Sequence, residues 1–576
     1  MSVLNRFGMM LKRRTTYSLS LTLFAILFIA GCGSSARVTT TVPPKDKQPR
    51  VIVNQMAYSF YASGVLAEQE GDYPIALSYY QEALKHAPGN TDILYSIADL
   101  YYRLRRPQEA LEYAKKIFYK DARTFSLIGN SHRVLGQNEE AINAYRQVVR
   151  LDPNDLEAHW YLGAFARQVS DFDEAVRQFK EVARLNPTSD IYVELAKLYV
   201  TRHEFDQAIE SYRTSIALDP SDANTESYIN LAGLLQSQNR TDEALSLMQE
   251  ASSGNPNAHM LRLYLAEMYS DSEDTVRALE QVRWVRKNVQ EQLPVLDRAG
   301  QIAFELNQLD LADSIFSDEL VLYPESVLAN FFRGRIAVFQ ERIEDAKHYF
   351  WTLVDVADSL PDGYINLGMI YLDQDSLDLA VDVLKEGVRR SSSGREEAQY
   401  FLATALGRIE KFSEVLAITN GLVKKYPSEI RYLFMHGSAL ERLQEFDSAA
   451  VVFENILTID PQNAQTLNYL GYMWADLGVN LEKSKELIEE ALRIDADNGA
   501  YLDSYGWVLY RLGSYEDAEK QIRRAIEIMD DVDPVLFDHL GDICYSLERY
   551  DEARKHWMKA LEFDPDNAEI KEKLAR

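Results

Sequence analysis

Cysteine is almost missing from this sequence: 576 residues carry two, Cys32 and Cys544. Two cysteines cannot make a disulfide framework, so the fold must be held by packing. Cys544 falls on an apolar helical stripe and is expected to be a small core residue. The nine histidines are scattered and form no His-Glu-x-x-His; His203-Glu204 lacks the second ligand. There is no Gly-x-Ser-x-Gly elbow and no glycine-rich phosphate loop; Gly478 to Ser484 ends in Lys-Ser in the wrong arrangement. Asp373, Asp375 and Asp378 alternate like the start of a calcium loop, but its glycine and closing glutamate are absent. From these absences the chain is expected to use no metal or cofactor and to have no catalysis of its own. Positive charge is also short, with 61 Lys and Arg against 89 Asp and Glu, a formal net charge of −28. Removing the four cations of residues 1–31 takes it to −32. Such a chain repels nucleic-acid backbones and anionic head groups, which argues against nucleic-acid binding. The apolar run Leu19 to Ala30 has 12 residues, too few for a comfortable transmembrane helix.

That run follows a basic stretch with Arg6, Lys12, Arg13 and Arg14, and it closes on Ile29-Ala30-Gly31-Cys32. It fits the apolar core of a secretory signal. The closing residues resemble a bacterial lipobox, which implies that Cys32 is lipidated and that residues 1–31 are a signal peptide. Gly33 stands where the inner-membrane retention signal of lipoproteins has Asp. The implied address is the outer membrane, facing the periplasm. Residues 32–56 are rich in Ser, Thr and Pro without helical period, and read as a flexible tether that spans about 75 Å when extended.

From residue 57 the chain repeats itself every 34 residues with small slips. Repeats start at Ala57, Thr91, Ala122, Leu156, Ser189, Thr225, His259, Leu293, Val327, Pro361, Glu396, Ile430, Ala464, Gly499 and Pro534. Within each, apolar residues recur every three to four positions on both sides of a turn, which predicts two amphipathic helices. The eighth position is Gly or Ala in all fifteen, and the twentieth is Ala in thirteen. Glycine inside a helix costs roughly 1 kcal/mol against alanine, so ten glycines at one register predict a neighbouring helix pressed close. In the last repeat Asp551 is the expected cap of the second helix and Pro565 its end. Residues 566–576 read as a capping helix with Ile570 and Leu574 inward and Lys573 outward. The irregular joints are 355–360 and 391–395.

Leu540-Gly541, Tyr550, Ala553, Trp557, Ala560 and Pro565 stand at the signature places of the tetratricopeptide repeat, and the register extends over 57–576. The chain therefore resembles that family. The resemblance implies an all-α, right-handed α-solenoid of about fifteen helix–turn–helix repeats with a C-terminal capping helix. It also implies a concave groove lined by positions five, nine and twelve of each first helix. Those positions hold Tyr61, Tyr95, Tyr102, Trp160, Phe331, Tyr400, Phe434, Tyr472, Trp507, Tyr510 and Tyr545, with Val193, Ile229, Leu263, Phe304 and Ile365 among the other apolar members. Rings there are expected to anchor a protein segment. Asn468, Asp503 and Asp538 replace the apolar fifth position in the last three repeats, with Asp542 close by, a patch suited to a basic or aromatic-rich segment. Repeat proteins that hold chaperone carboxylate tails use Lys at the fifth position, and none occurs here. The expected function is a lipid-anchored envelope scaffold that binds protein segments and holds a complex at the membrane. The alternatives are an accessory that recruits or regulates an envelope enzyme, and a periplasmic chaperone for exported proteins.

Overall fold

In the computed structural model the described residues are 54–221, 224–254, 257–289, 291–529, 534–563 and 565–575. The signal-like stretch, Cys32 and the tether lie outside them. The described residues form thirty-one helices and no strand. Fifteen helix pairs run in order from Gln55–Gln69 with Tyr73–His86 to Pro534–Ser546 with Tyr550–Phe563, followed by the short helix Ala568–Ala575. Each first helix packs on its own second helix, and each second helix packs on the first helix of the next pair, within either unit described below. This is an α-solenoid of tetratricopeptide-type repeats. Among the described residues no helix is long and apolar enough to cross a membrane.

Twelve of the fifteen first helices start at the residue given by the sequence register. The exceptions are Gln55, Asp362 and Arg395, each within two residues of it. The close packing predicted at the eighth position is present, and it has a specific partner. A β-carbon on Gly64 would lie 2.5 Å from the Tyr80 ring, and on Gly129 2.9 Å from the Tyr145 ring. Gly163 meets Phe179 in the same way, Gly334 meets Phe350, Gly437 meets Phe453 and Gly541 meets Trp557, all within 3 Å. In each case the ring sits sixteen residues on, on the second helix, and it is buried. Burying such a ring stabilises by roughly 1.5–3 kcal/mol, which outweighs the helix cost of the glycine. Where the eighth residue is Ala, the residue sixteen on is often smaller: Ala98 with Ala114, Ala266 with Val282, Ala403 with Thr419.

The turn inside each pair is set by one residue in the left-handed region. Position fifteen has φ between 54° and 82° in all fifteen repeats, yet it is Gly only at Gly71, Gly136, Gly478 and Gly513. The backbone closes a paired cap around it. In the last repeat Glu548 N–H donates to the Tyr545 carbonyl at 3.0 Å and Arg549 N–H to the Cys544 carbonyl at 2.9 Å. Two carbonyls at the end of the first helix are thus satisfied before the chain reverses.

Two compact units are distinguished among the described residues, 54–315 and 316–575, the boundary falling in the helix Leu309–Leu322. In the first, residues from Asn54 on form the opening repeats. In the second, the two irregular joints meet each other. Ser392 N–H donates to the Ser359 carbonyl at 3.1 Å, and Arg390 pairs with Asp358 at 2.8 Å. Gly394, at φ 64°, lies against Pro361. The displaced proline is therefore part of a local clasp. Ser484 takes the place of the twentieth-position alanine: it is buried and donates its hydroxyl to the Gly471 carbonyl at 2.5 Å.

Two expectations about the C-terminus are corrected. Asp551 is not a cap, because the helix already includes Tyr550, and Asp551 sits in its first turn. Lys573 does not point outward. Its ammonium lies 2.9 Å from both oxygens of Asp538 and 2.8 Å from Asp542. An eight-residue helix has room for one inward row, and here Lys573 shares it with Ile570.

Candidate functional site: the first-helix face

The second helices carry the rings that fill the eighth-position gaps, so the first helices keep one side for other uses. Of the rings expected there, Trp160 and Tyr545 are exposed at 38% and 41%, and the others are half-buried. Tyr61 shares a hydrogen bond with Ser96 at 3.2 Å and leans on Tyr80. The Arg123 guanidinium lies over Tyr95 at 5.1 Å. Tyr102 packs beside the small cluster of Ala98, Ala114 and Leu127. Trp160 tilts onto Phe179 at 5.3 Å, and Phe331 meets Phe332 edge-on at the same separation. Tyr472 is half-buried. Three apolar members of the fifth position, Val193, Leu263 and Ile365, are buried between helices and line no surface.

Tyr400 and Phe434 open on the same space. A cavity of about 650 Å³ runs across the first helices of repeats eleven to thirteen, lined by these two rings with Tyr469, Met435, Arg431 and Arg442. Phe434 meets Tyr469 at 5.2 Å, making an aromatic wall. Arg431 lies over Tyr400 at 5.1 Å and is paired with Glu397 at 2.8 Å. The cavity is thus lined by rings together with arginines whose charge is partly met. A planar or aromatic side chain with a polar edge matches that lining.

The acidic patch of the last repeats comes together as expected, but its charge is already answered. Besides holding Lys573, Asp542 accepts from Trp557 Nε1 at 3.0 Å. Asp503 pairs with His539 Nδ1 at 2.9 Å. Trp507 stacks on His539 at 4.2 Å and on Tyr510 at 5.0 Å, and Tyr545 leans on Trp557 at 5.7 Å. Burial disfavours charge on His539, yet Asp503, with Asp538 and Asp542 behind it, raises its pKa above the ordinary value. Burial pushes the Asp542 carboxyl up. Burial also opposes charge on Lys573, but the two carboxylates raise its pKa. The cationic group that this patch suits is supplied by the chain itself. No sequence feature singled out His539 or Lys573, since each sits beside its carboxylates only after the next repeat and the capping helix have stacked. Trp507 Nε1 and Asn468 Oδ1 are buried here without a hydrogen-bond partner.

Among the described residues one group of metal-type ligands converges, Glu519, Cys544 and Glu552. Arg549 pairs with Glu519, Arg523 pairs with it too, and burial pushes the Cys544 thiol up. Cations already occupy the acids, so this is an ion-pair knot over a buried, protonated thiol.

Tetratricopeptide repeat profiles match residues 61–122, 166–223, 225–253, 361–393 and 430–463, and a TPR repeat profile matches 129–169 and 541–575. Human "Protein O-mannosyl-transferase TMTC3" is 23% identical over 360 residues, 61% of this chain and 37% of that protein. "BBSome complex member BBS4" of Bos taurus is 21% identical over 322 residues, 55% of this chain and 62% of that protein. The chain thus spans less than two thirds of either relative's length. The solved "Structure of Naa15/Naa10 bound to HypK-THB" is similar at 16% identity and TM-score 0.37, covering 88% of this chain and 82% of that one. One expectation is overturned: a chain without catalysis of its own does not follow from missing motifs, because a relative matched over 61% of the chain bears a transferase name. With fifteen helix pairs in one register, ring-into-glycine packing in both units and repeat profiles along its length, the chain belongs to the tetratricopeptide repeat family.

Proposed function

We propose that this chain is a lipid-anchored scaffold of the bacterial envelope that holds protein segments along its first-helix face. A solenoid of this family suits protein–protein contact, because its repeats present a long run of side chains from many short helices. The observation that carries the reading is the cavity of about 650 Å³ across repeats eleven to thirteen, which the half-buried rings of Tyr400, Phe434 and Tyr469 line. The anchor rests on Cys32 and the signal-like residues before it, and the outer membrane facing the periplasm on Gly33.

Replacing Tyr400 and Phe434 together by Ala tests the cavity. A stoichiometric complex recovered after mild detergent extraction should be lost while the helical content stays. Recovery of the same complex in the same yield refutes the cavity as the contact. Cys32→Ala tests the anchor by palmitate labelling and membrane release; continued labelling rejects the lipoprotein assignment. A second reading places the chain beside an enzyme that transfers sugar to protein, favoured by the match to TMTC3. Mannosyl transfer by the purified complex, absent from buffer controls, would select it.

A further inference from the structure

The second helix of the second repeat is the odd one in the series. Pro107–Lys115 has nine residues where every other second helix has fourteen. The chain then runs Lys115-Lys116-Ile117-Phe118-Tyr119-Lys120 before the next first helix starts at Ala122. Buried Ile117 pins this turn to the body. Lys116 N–H donates to the Tyr113 carbonyl at 3.1 Å, and Lys120 Nζ to the Ile117 carbonyl at 2.6 Å. The turn is therefore built, and what it presents is specific. Phe118 is 84% exposed and Tyr119 81%, their rings edge to face at 4.7 Å.

Lys115, Lys116 and Lys120 flank the rings, and none of them forms an ion pair among the described residues. The nearest acid in sequence, Asp121, is used: it accepts from Thr124 N at 2.9 Å and Thr124 Oγ1 at 2.7 Å, and it pairs with Arg123. In a chain of net charge −28 this is a local reversal of sign. Two neighbouring rings at the tip of a turn, with lysines at their base, are the side chains that settle at a membrane–water boundary: rings at head-group depth, ammonium groups on anionic lipid.

We propose that residues 115–120 form a membrane-surface contact, with Phe118 and Tyr119 entering the interface of an anionic bilayer and the three lysines meeting its head groups. The acidity of the whole chain does not forbid this. At physiological salt the screening length is about 8 Å, so a surface charge is felt by the groups that touch it and little by the rest. A bilayer is favoured over an acidic protein because both rings stand almost fully exposed at the tip of the turn, beside the lysines. The contact stands whether or not Cys32 carries lipid.

The test is amide exchange across residues 113–123 of the full chain, mixed at physiological salt with vesicles of phosphatidylcholine alone or of phosphatidylcholine with phosphatidylglycerol. Exchange at 116–120 is expected to slow by about tenfold with the anionic vesicles only. Two variants should abolish the slowing without changing the thermal melt: Lys115→Glu with Lys116→Glu, which leaves the Lys120 bond to the Ile117 carbonyl in place, and separately Phe118→Ser, whose exposed ring meets the equally exposed ring of Tyr119. Equal exchange in all conditions overturns the proposal, as does equal slowing by both vesicle types or slowing that persists in Phe118→Ser. Slowing by a vesicle-free protein extract but not by vesicles would assign the turn to a protein partner and also overturn it.

Discussion

The same substitution has opposite signs at different glycines of this chain, and the neighbour decides which. Gly64→Ala brings a β-carbon to 2.5 Å from the buried Tyr80 ring, which also donates to Glu68 at 2.6 Å. The ring cannot move without losing that bond, so the repeat should be destabilised by about 1–3 kcal/mol. Gly421 sits in a second helix with nothing near its α-carbon. There Ala should stabilise by about 1 kcal/mol. Urea melts of the two variants check both signs, and a shared sign would refute the packing argument. His539 gives a pH test. Its folded-state pKa lies above the ordinary 6.5, so its contribution is whole below that pH and is lost as pH rises through the folded value. Amide exchange in the last repeat should therefore accelerate as the buffer is raised from mildly acidic to mildly alkaline. His539→Gln should remove that pH dependence beyond the intrinsic exchange rate.

At the scale of the helix pair, the residue that reverses the chain is in eleven of fifteen repeats not the glycine that suits it best. Glu410 and Glu548 hold φ of 60° and 61°, which an L side chain adopts at a cost of roughly 1–2 kcal/mol. Glu410→Gly and Glu548→Gly should each stabilise their repeat, while Gly136→Ala, at φ 72° with open space around it, should destabilise by a similar amount. Calorimetry on the three variants distinguishes backbone strain from packing, because neither Glu410→Gly nor Gly136→Ala changes a buried contact. This also explains what could be read in advance. Helix starts were legible because the eighth position holds only Gly or Ala and the twentieth Ala in thirteen of fifteen repeats, and this leaves a period in the sequence. The left-handed residue was not, because Arg105, His203 and nine other non-glycines take it, and a paired cap made by backbone atoms leaves no compositional mark. The capping helix was legible through Ile570. Lys573 was not, since a lysine in an eight-residue helix reads as solvated until Asp538 and Asp542 are placed beneath it.

Over the whole molecule, charge and rings are distributed unevenly, and that matters more than either total. The net charge of −28 describes the chain poorly at two places. The acidic end of the first-helix face is neutralised by Lys573 and His539, and the second repeat exposes lysines and rings together. Lys573→Met should leave the half-buried Asp538 and Asp542 without their lysine, and the last repeat should lose protection against proteolysis. Asp538→Asn with Asp542→Asn in that background should restore part of it, which double-variant proteolysis would show. The half-buried rings of repeats eleven to thirteen are a part of the first-helix face with a cavity open beside them. The central claim is that this cavity, rather than surface in general, holds a protein partner. Site-specific photo-crosslinking in intact cells tests it most directly, with the crosslinker at Tyr400 or Phe434 and, as comparison, at Val451, exposed on the second helix of the twelfth repeat. The account predicts a discrete adduct of fixed size from the two cavity positions and none from Val451. Equal adducts from all three, or an adduct from Val451 alone, would contradict it.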